Sequence, residues 1–303
     1  MKIPHHTQTL PDRTIGRRPR RGHLTPLILI AVLAVFGSPS VSRPDPTSTT
    51  LGPAETTFGQ GEFTLNTPQQ TEYTQQSPQA IVEWGQDIQQ PADHTLGFRQ
   101  ESGFSVLNRS PGVRASNFFG TVTCDATCIF ANEAGIHFRD GSQVDVGRLI
   151  AAGGHLESES FLSGVYDFQN IRGEVINRGF MRGQDITLLG QRVANFGHVD
   201  VPDGSFGMWA GRRIQLREHN NPIVIEGPLN PSQPESGELA FGTHPLVESA
   251  GTVNAEGGLV RLGAGDMLSF AIRHSGEIRA REIAIQGGEN GLVEIDGSFA
   301  RHL

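Results

Sequence analysis

The only two cysteines, Cys124 and Cys128, lie four residues apart in Thr-Cys-Asp-Ala-Thr-Cys. Thiols at that spacing suit a metal site or a local disulfide. A metal site needs two further ligands of the right type at suitable distance. An even cysteine count beside an export signal favours the disulfide. The alternative is two free thiols, because so short a spacing restricts bond geometry. Closure of so small a loop contributes little stability through chain entropy, less than a long loop would.

The other candidate groups are carboxylates. Asp200, Asp203, Asp266, Glu294 and Asp296 stand in turn-like places, mostly beside glycine. Clustered on one outer face, such acids could cleave glycosidic bonds or bind calcium. Turns use the same residues for backbone reasons, and that is the reading adopted. The 11 histidines form no His-x-x-x-His pair, and "GGENGLVEIDG" lacks the repeated Gly-Gly-x-Gly-x-Asp pattern of calcium-binding β-rolls. Neither a phosphate loop nor a Gly-x-Ser-x-Gly elbow is present. No catalytic residue, metal or cofactor is therefore assigned.

Elements that could position such groups begin after a leader. A basic region from Arg17 to Arg21, an apolar run from Leu24 to Phe36, then Ser38, Ser40 and Ser42 have the layout of a secretory signal peptide over residues 1–42. The run is short against the roughly 20 residues of a membrane-spanning helix. The leader holds six of the 24 cations and one of the 32 acids, so the remainder carries a net charge of −13. Nucleic acid is an unsuitable partner for such a chain, because phosphate binding needs a basic face.

Residues 43–71, rich in Pro, Thr and Gln, read as a flexible lead, with one strand at most around Glu62 to Leu65. From Ala80 onward runs of about five residues are bounded by Gly, Asn, Asp or Pro. "FFGTVTC" and "CIFAN" read as two of them, and only "HLESESFLSG" offers a turn or two of helix. The second half repeats an apolar residue, a small or Asn position, a glycine and alternating apolar residues. Asn177 and Asn195 are 18 apart, and Gly251 and Gly276 are 25 apart. A strand-only repeat near 20 residues marks a solenoid whose coils must stack. The fold class expected is all-β, a right-handed parallel β-helix with small extra-helical hairpins. A β-sandwich or barrel lacks a repeat of this length. Ile136, Val144, Val146, Val193, Val199 and Val201 would face the core, and Asn177 and Asn195 would share amide hydrogen bonds. Residues 217–245, with five prolines and several acids, read as an insertion loop, and 246–303 as further coils.

The ordered pieces "AIVEWGQDI", "LGFRQESGFSVLNR", "FFGTVTCDATCIFANEAGIHFRDGSQVDVGRLIAA", "FLSGVYDF" and "VINRGFM…VANFGHV" resemble the secretion domain of filamentous-haemagglutinin-type exoproteins of two-partner secretion. In that family an Asn-Pro-x-Gly-Ile turn precedes Phe and then Val-x-Val-Gly-x-Leu. Here Glu133 stands where proline is usual. The resemblance implies a secretion domain over 72–216 that a cognate outer-membrane pore recognises. Asn108, Asn132, Glu133, Gly135 and Ile136 would form the recognition motif, with Gly135 and Ile136 mainly structural. It implies a chain exported through the periplasm and then secreted or held at the cell surface. An adhesin-like role there would involve a cell-surface or carbohydrate target. Exoproteins of this kind are usually much longer, so the expectation is a module with little passenger or a truncated product. The alternative is a β-helical polysaccharide-active lyase or hydrolase.

Overall fold

The structure is a computed structural model of the 303-residue chain and describes residues 51–217, 224–226, 244–264, 270–288 and 291–300. The expected signal peptide, most of the expected insertion and Asp266 lie outside the described residues.

The chain is a stack of coils. Each coil lays a short strand in one parallel sheet. Among the described residues that sheet runs in order Gln89–Gln90, Ser116–Phe118, Gly135–Phe138, Glu174–Asn177, Arg192–Asn195, Val247–Ser249, Phe270–His274 and Leu292–Ile295. Each coil then lays longer strands in a second, mostly parallel sheet, including Thr121–Ala131, Gln143–Ala152, Phe180–Gly190, Thr252–Ala264 and Glu277–Gln286. The register follows one inward position from coil to coil, through Ser116, Ile136, Val175, Val193, Val247, Ile272 and Val293. The steps are 20, 39, 18, 54, 25 and 21 residues. The repeat near 20 thus holds except at two long coils, and both carry extra-helical pieces.

Those pieces form a third, antiparallel sheet of His155–Leu156, Val165–Gln169, Arg213–Arg217 and Val224–Glu226, beside a short helix at Ser158–Leu162. They cover an outer face of the second sheet. There Ile81, Leu107, Ile129 and Ile150 are successive cross-strand neighbours. Phe161, Tyr166, Phe168 and Ile214 pack with them as an apolar cluster separate from the lumen.

All six residues expected inward are buried in the lumen cluster. Two apolar residues per strand face line a narrow interior, so the low apolar content suffices. The corner after the short strands explains a column of glycines. A Cβ on Gly197, Gly251 or Gly276 would overlap the carbonyl oxygen of Gly179, Gly197 or Gly251 on the coil before. Asn177 Nδ2 donates to Asn195 Oδ1 at 2.9 Å across two coils, as expected.

Two readings need correction. Residues 54–71 are not a flexible lead: the strand expected around Glu62 to Leu65 is Gly61–Asn66, paired antiparallel with Gln70–Gln75, and Ala54–Phe58 is a further strand, paired antiparallel with Gln79–Trp84. Alternate apolar residues in a polar segment anchor them, with Leu51 buried and Phe63 packed on Tyr73 and Trp84 at centroid distances of 5.0 and 5.8 Å. "FFGTVTC" and "CIFAN" are also not two strands beyond Phe118. Thr121–Ala131 is continuous and turns its corner through a bulge.

Candidate partner-recognition site

The turn at Asn132 closes one coil and opens the next. Asn132 Oδ1 accepts from the Ala134 amide at 2.8 Å, and its carbonyl accepts from Gly135 at 2.9 Å. This is the side-chain-capped turn that Asn favours. Gly135 follows with φ of 112°, a conformation that costs glycine nothing. A Cβ there would also stand 2.6 Å from the Glu174 carbonyl oxygen. Ile136 and Phe138 then enter the lumen, while His137 and Arg139 remain on the outer side, partly exposed.

The Asn132 amide does more than hold its own turn. Nδ2 lies within hydrogen-bond distance of Asp87 Oδ1 at 3.1 Å, the Arg114 carbonyl at 3.0 Å and Ser116 Oγ at 2.8 Å. Asp87 is buried and also accepts from the backbone amides of Gly112, Val113 and Arg114 at 2.9, 3.1 and 2.8 Å. A buried carboxylate survives only with such partners. One carboxylate and one amide therefore tie together the turns of three coils.

Asn108 belongs to the same part of the stack and is also buried. Its Oδ1 accepts from Trp84 Nε1 at 3.2 Å, and its Nδ2 donates to the Ile129 carbonyl at 3.4 Å. Arg109 beside it pairs with Glu83 and donates to the Leu156 carbonyl and Ser158 Oγ, both at 3.0 Å. It joins the main stack to the third sheet.

Five residues were expected to act as one motif. Asn132, Glu133, Gly135 and Ile136 form a single turn, and Asn108 lies on the strand Ser105–Arg109, which pairs with Thr121–Ala131. Asn108, Asn132, Gly135 and Ile136 are buried, leaving only Glu133 partly exposed. Glu133 borders an open cleft of about 500 Å³ with Glu83, Arg109, His155 and Glu157. His155 lies 3.9 Å from Glu133 and 3.4 Å from Glu157. Asp87, Trp84 and Arg109 are the members that sequence reasoning missed. Only the stacking register brings Asp87 to Asn132.

Cys124 and Cys128 are joined, with Cα atoms 6.3 Å apart, inside the usual range. The register places Val146 opposite Cys124 and Arg148 opposite Thr127, so Asp125 and Ala126 oppose Gly147 alone. The disulfide therefore brackets a β-bulge, which bends its strand. Gln100 holds the bulge from the neighbouring coil, accepting from the Ala126 amide at 3.1 Å and donating from its own amide to Asp125 at 3.3 Å.

The other acids do not converge. Asp200 accepts from Asn254 at 2.8 Å, and Glu294 lies 3.5 Å from Arg273. Among the described residues no group of three or more His, Cys, Asp or Glu is placed to hold a metal, and no helix is long and apolar enough to cross a membrane.

No protein-family model matches the chain, and no curated protein matches it in sequence. Solved structures do match its fold. The secretion domain of HMW1 from Haemophilus influenzae aligns with a TM-score of 0.67 at 19% identity, covering 82% of this chain and 66% of that one. This chain thus spans just under two thirds of that structure. The filamentous hemagglutinin secretion domain aligns with a TM-score of 0.61 at 14% identity, covering 81% of this chain and 96% of that one. The fold is the β-helix of these secretion domains.

Proposed function

We propose that the chain is a non-enzymatic two-partner secretion exoprotein, with residues 72–216 addressed by a cognate outer-membrane pore. The supporting observation is the fold shared with two secretion domains over more than four fifths of the chain. The family-like Asn132 turn stands at a coil boundary in that fold. Residues 1–42 act as the signal peptide for the first membrane, and 246–303 add coils to the rod. Once outside, the protein is released or held at the surface, where it serves an adhesin-like role toward a cell-surface or carbohydrate target.

Burial then constrains how the motif is read. Asn108 and Asn132 are each 1% exposed in the folded stack. A pore can touch those side chains only before the coils close. The motif thus acts first as an extended segment in the periplasm. Afterwards the same side chains lock the coils together outside. Parallel coils pair residues far apart in sequence, so they fold slowly and leave time for passage. A disulfide spanning four residues closes only a tight local loop and leaves the rest of the chain free to extend.

Co-expression with a candidate cognate outer-membrane pore tests the reading. Protein should reach the medium only when that pore is present. Equal release without it would end the proposal.

A further inference from the structure

One corner of the stack carries an unusual column. Backbone bonds from Phe119, Arg139, Arg178 and Phe196 to the coil before each of them continue the ladder of the short strands by one residue. These four side chains therefore stand one above another on successive coils, spaced about 4.8 Å apart. Arg178 lies over the Phe196 ring at 4.4 Å, and Arg139 over Phe119 at 5.9 Å. The two guanidinium groups are neighbours in the middle.

Neither arginine has a carboxylate within 4 Å among the described residues, whereas Arg99, Arg109, Arg192 and Arg213 each do. Arg139 is nevertheless fixed in place. Its Nε donates to Asn117 Oδ1 at 2.7 Å and its Nη2 to His137 Nδ1 at 3.1 Å. A guanidinium can only donate, so His137 must accept at Nδ1 and be neutral. Burial and then the charges of Arg139 and Arg178 push His137 down to about 4. Burial, followed by Arg178, lowers Arg139, with Asp140 opposing. Two oriented like charges on adjacent coils repel each other, and an anion between them would relieve that repulsion.

We infer that Arg139 and Arg178 form a site for a carboxylate carried on an acidic segment of a protein partner. Planar guanidinium pairs suit carboxylate oxygens. Arginine flanked by aromatic rings is also the composition of protein-interface hot spots. A sugar would need a free ring face to stack on. Here each ring has a guanidinium over one face, Arg178 over Phe196 and Arg139 over Phe119. The site lies at the opposite end of the strand Gly135–Phe138 from the Asn132 turn and does not rest on the export reading.

The secreted full chain can be titrated with a hexaglutamate peptide, following the His137 imidazole resonance and the peptide affinity. The peptide should shift the resonance. R139Q/R178Q should weaken binding about tenfold or more, with an unchanged melting temperature. R114Q/R172Q, which removes two exposed arginines elsewhere, should bind as wild type. If R139Q/R178Q does not fold, the His137 shift in wild type decides alone. Absence of that shift, equal loss in both double variants, or tighter binding of a sulfated disaccharide would overturn the inference.

Discussion

Asn132 Nδ2 lies 3.1 Å from Asp87 Oδ1, across 45 residues of sequence, and both side chains are buried. Asn132→Ala removes the capped turn and the hydrogen bond to Asp87. It should cost about 2–4 kcal/mol in urea unfolding. Asn132→Asp should cost more, because it sets a second carboxylate against Asp87 in a buried place.

Two positive-φ glycines separate strain from contact. Gly135 and Gly141 have φ of 112° and 84°, but only Gly135 has backbone in the way of a Cβ. Gly141→Ala should cost about 1 kcal/mol. Gly135→Ala should cost about 2–3 kcal/mol, because the Glu174 carbonyl must also move. Equal losses in chemical denaturation would mean that the coils do not pack as described.

The stack was legible where the spacing of one coil shows in the sequence. Asn177 and Asn195 are 18 residues apart and form a bonded pair, because no insertion separates their coils. The third sheet was not legible as such. Its signal is present in "CIFA" and "LIAA", where consecutive apolar residues show strands buried on both faces. What covers them comes from two separate insertions, and no local pattern pairs Val165–Gln169 with Arg213–Arg217. The same holds for Asp87. A carboxylate in "WGQDI" looks like any turn acid until the register brings three amides and Asn132 to it.

The disulfide should matter moderately. Closing a loop of about five residues is worth roughly 2 kcal/mol in the chain-entropy account. Cys124→Ser/Cys128→Ser should lower stability by about that amount and leave the fold intact by circular dichroism. Mass spectrometry of alkylated, unreduced wild type should find no modified cysteine.

Acid should destabilise the fold through His137. Its folded pKa of about 4 lies below the ordinary 6.5, so between those values the unfolded chain binds the extra proton. Stability should therefore fall as pH drops from about 6.5 to about 4. His137→Gln should flatten that part of the profile. A parallel loss in both proteins would assign the effect to other groups.

The most direct test separates recognition from stability. Asn108→Ala/Asn132→Ala can be compared with a core variant of matched stability in a later coil, such as Val253→Ala, each co-expressed with the pore. Val253 is buried in the lumen beyond the motif. The measurement is the fraction of protein reaching the medium. The prediction is that the asparagine variant stays in the periplasm while Val253→Ala is released at close to the wild-type level. Equal release, or equal retention, of the two variants would contradict a pore that reads these side chains.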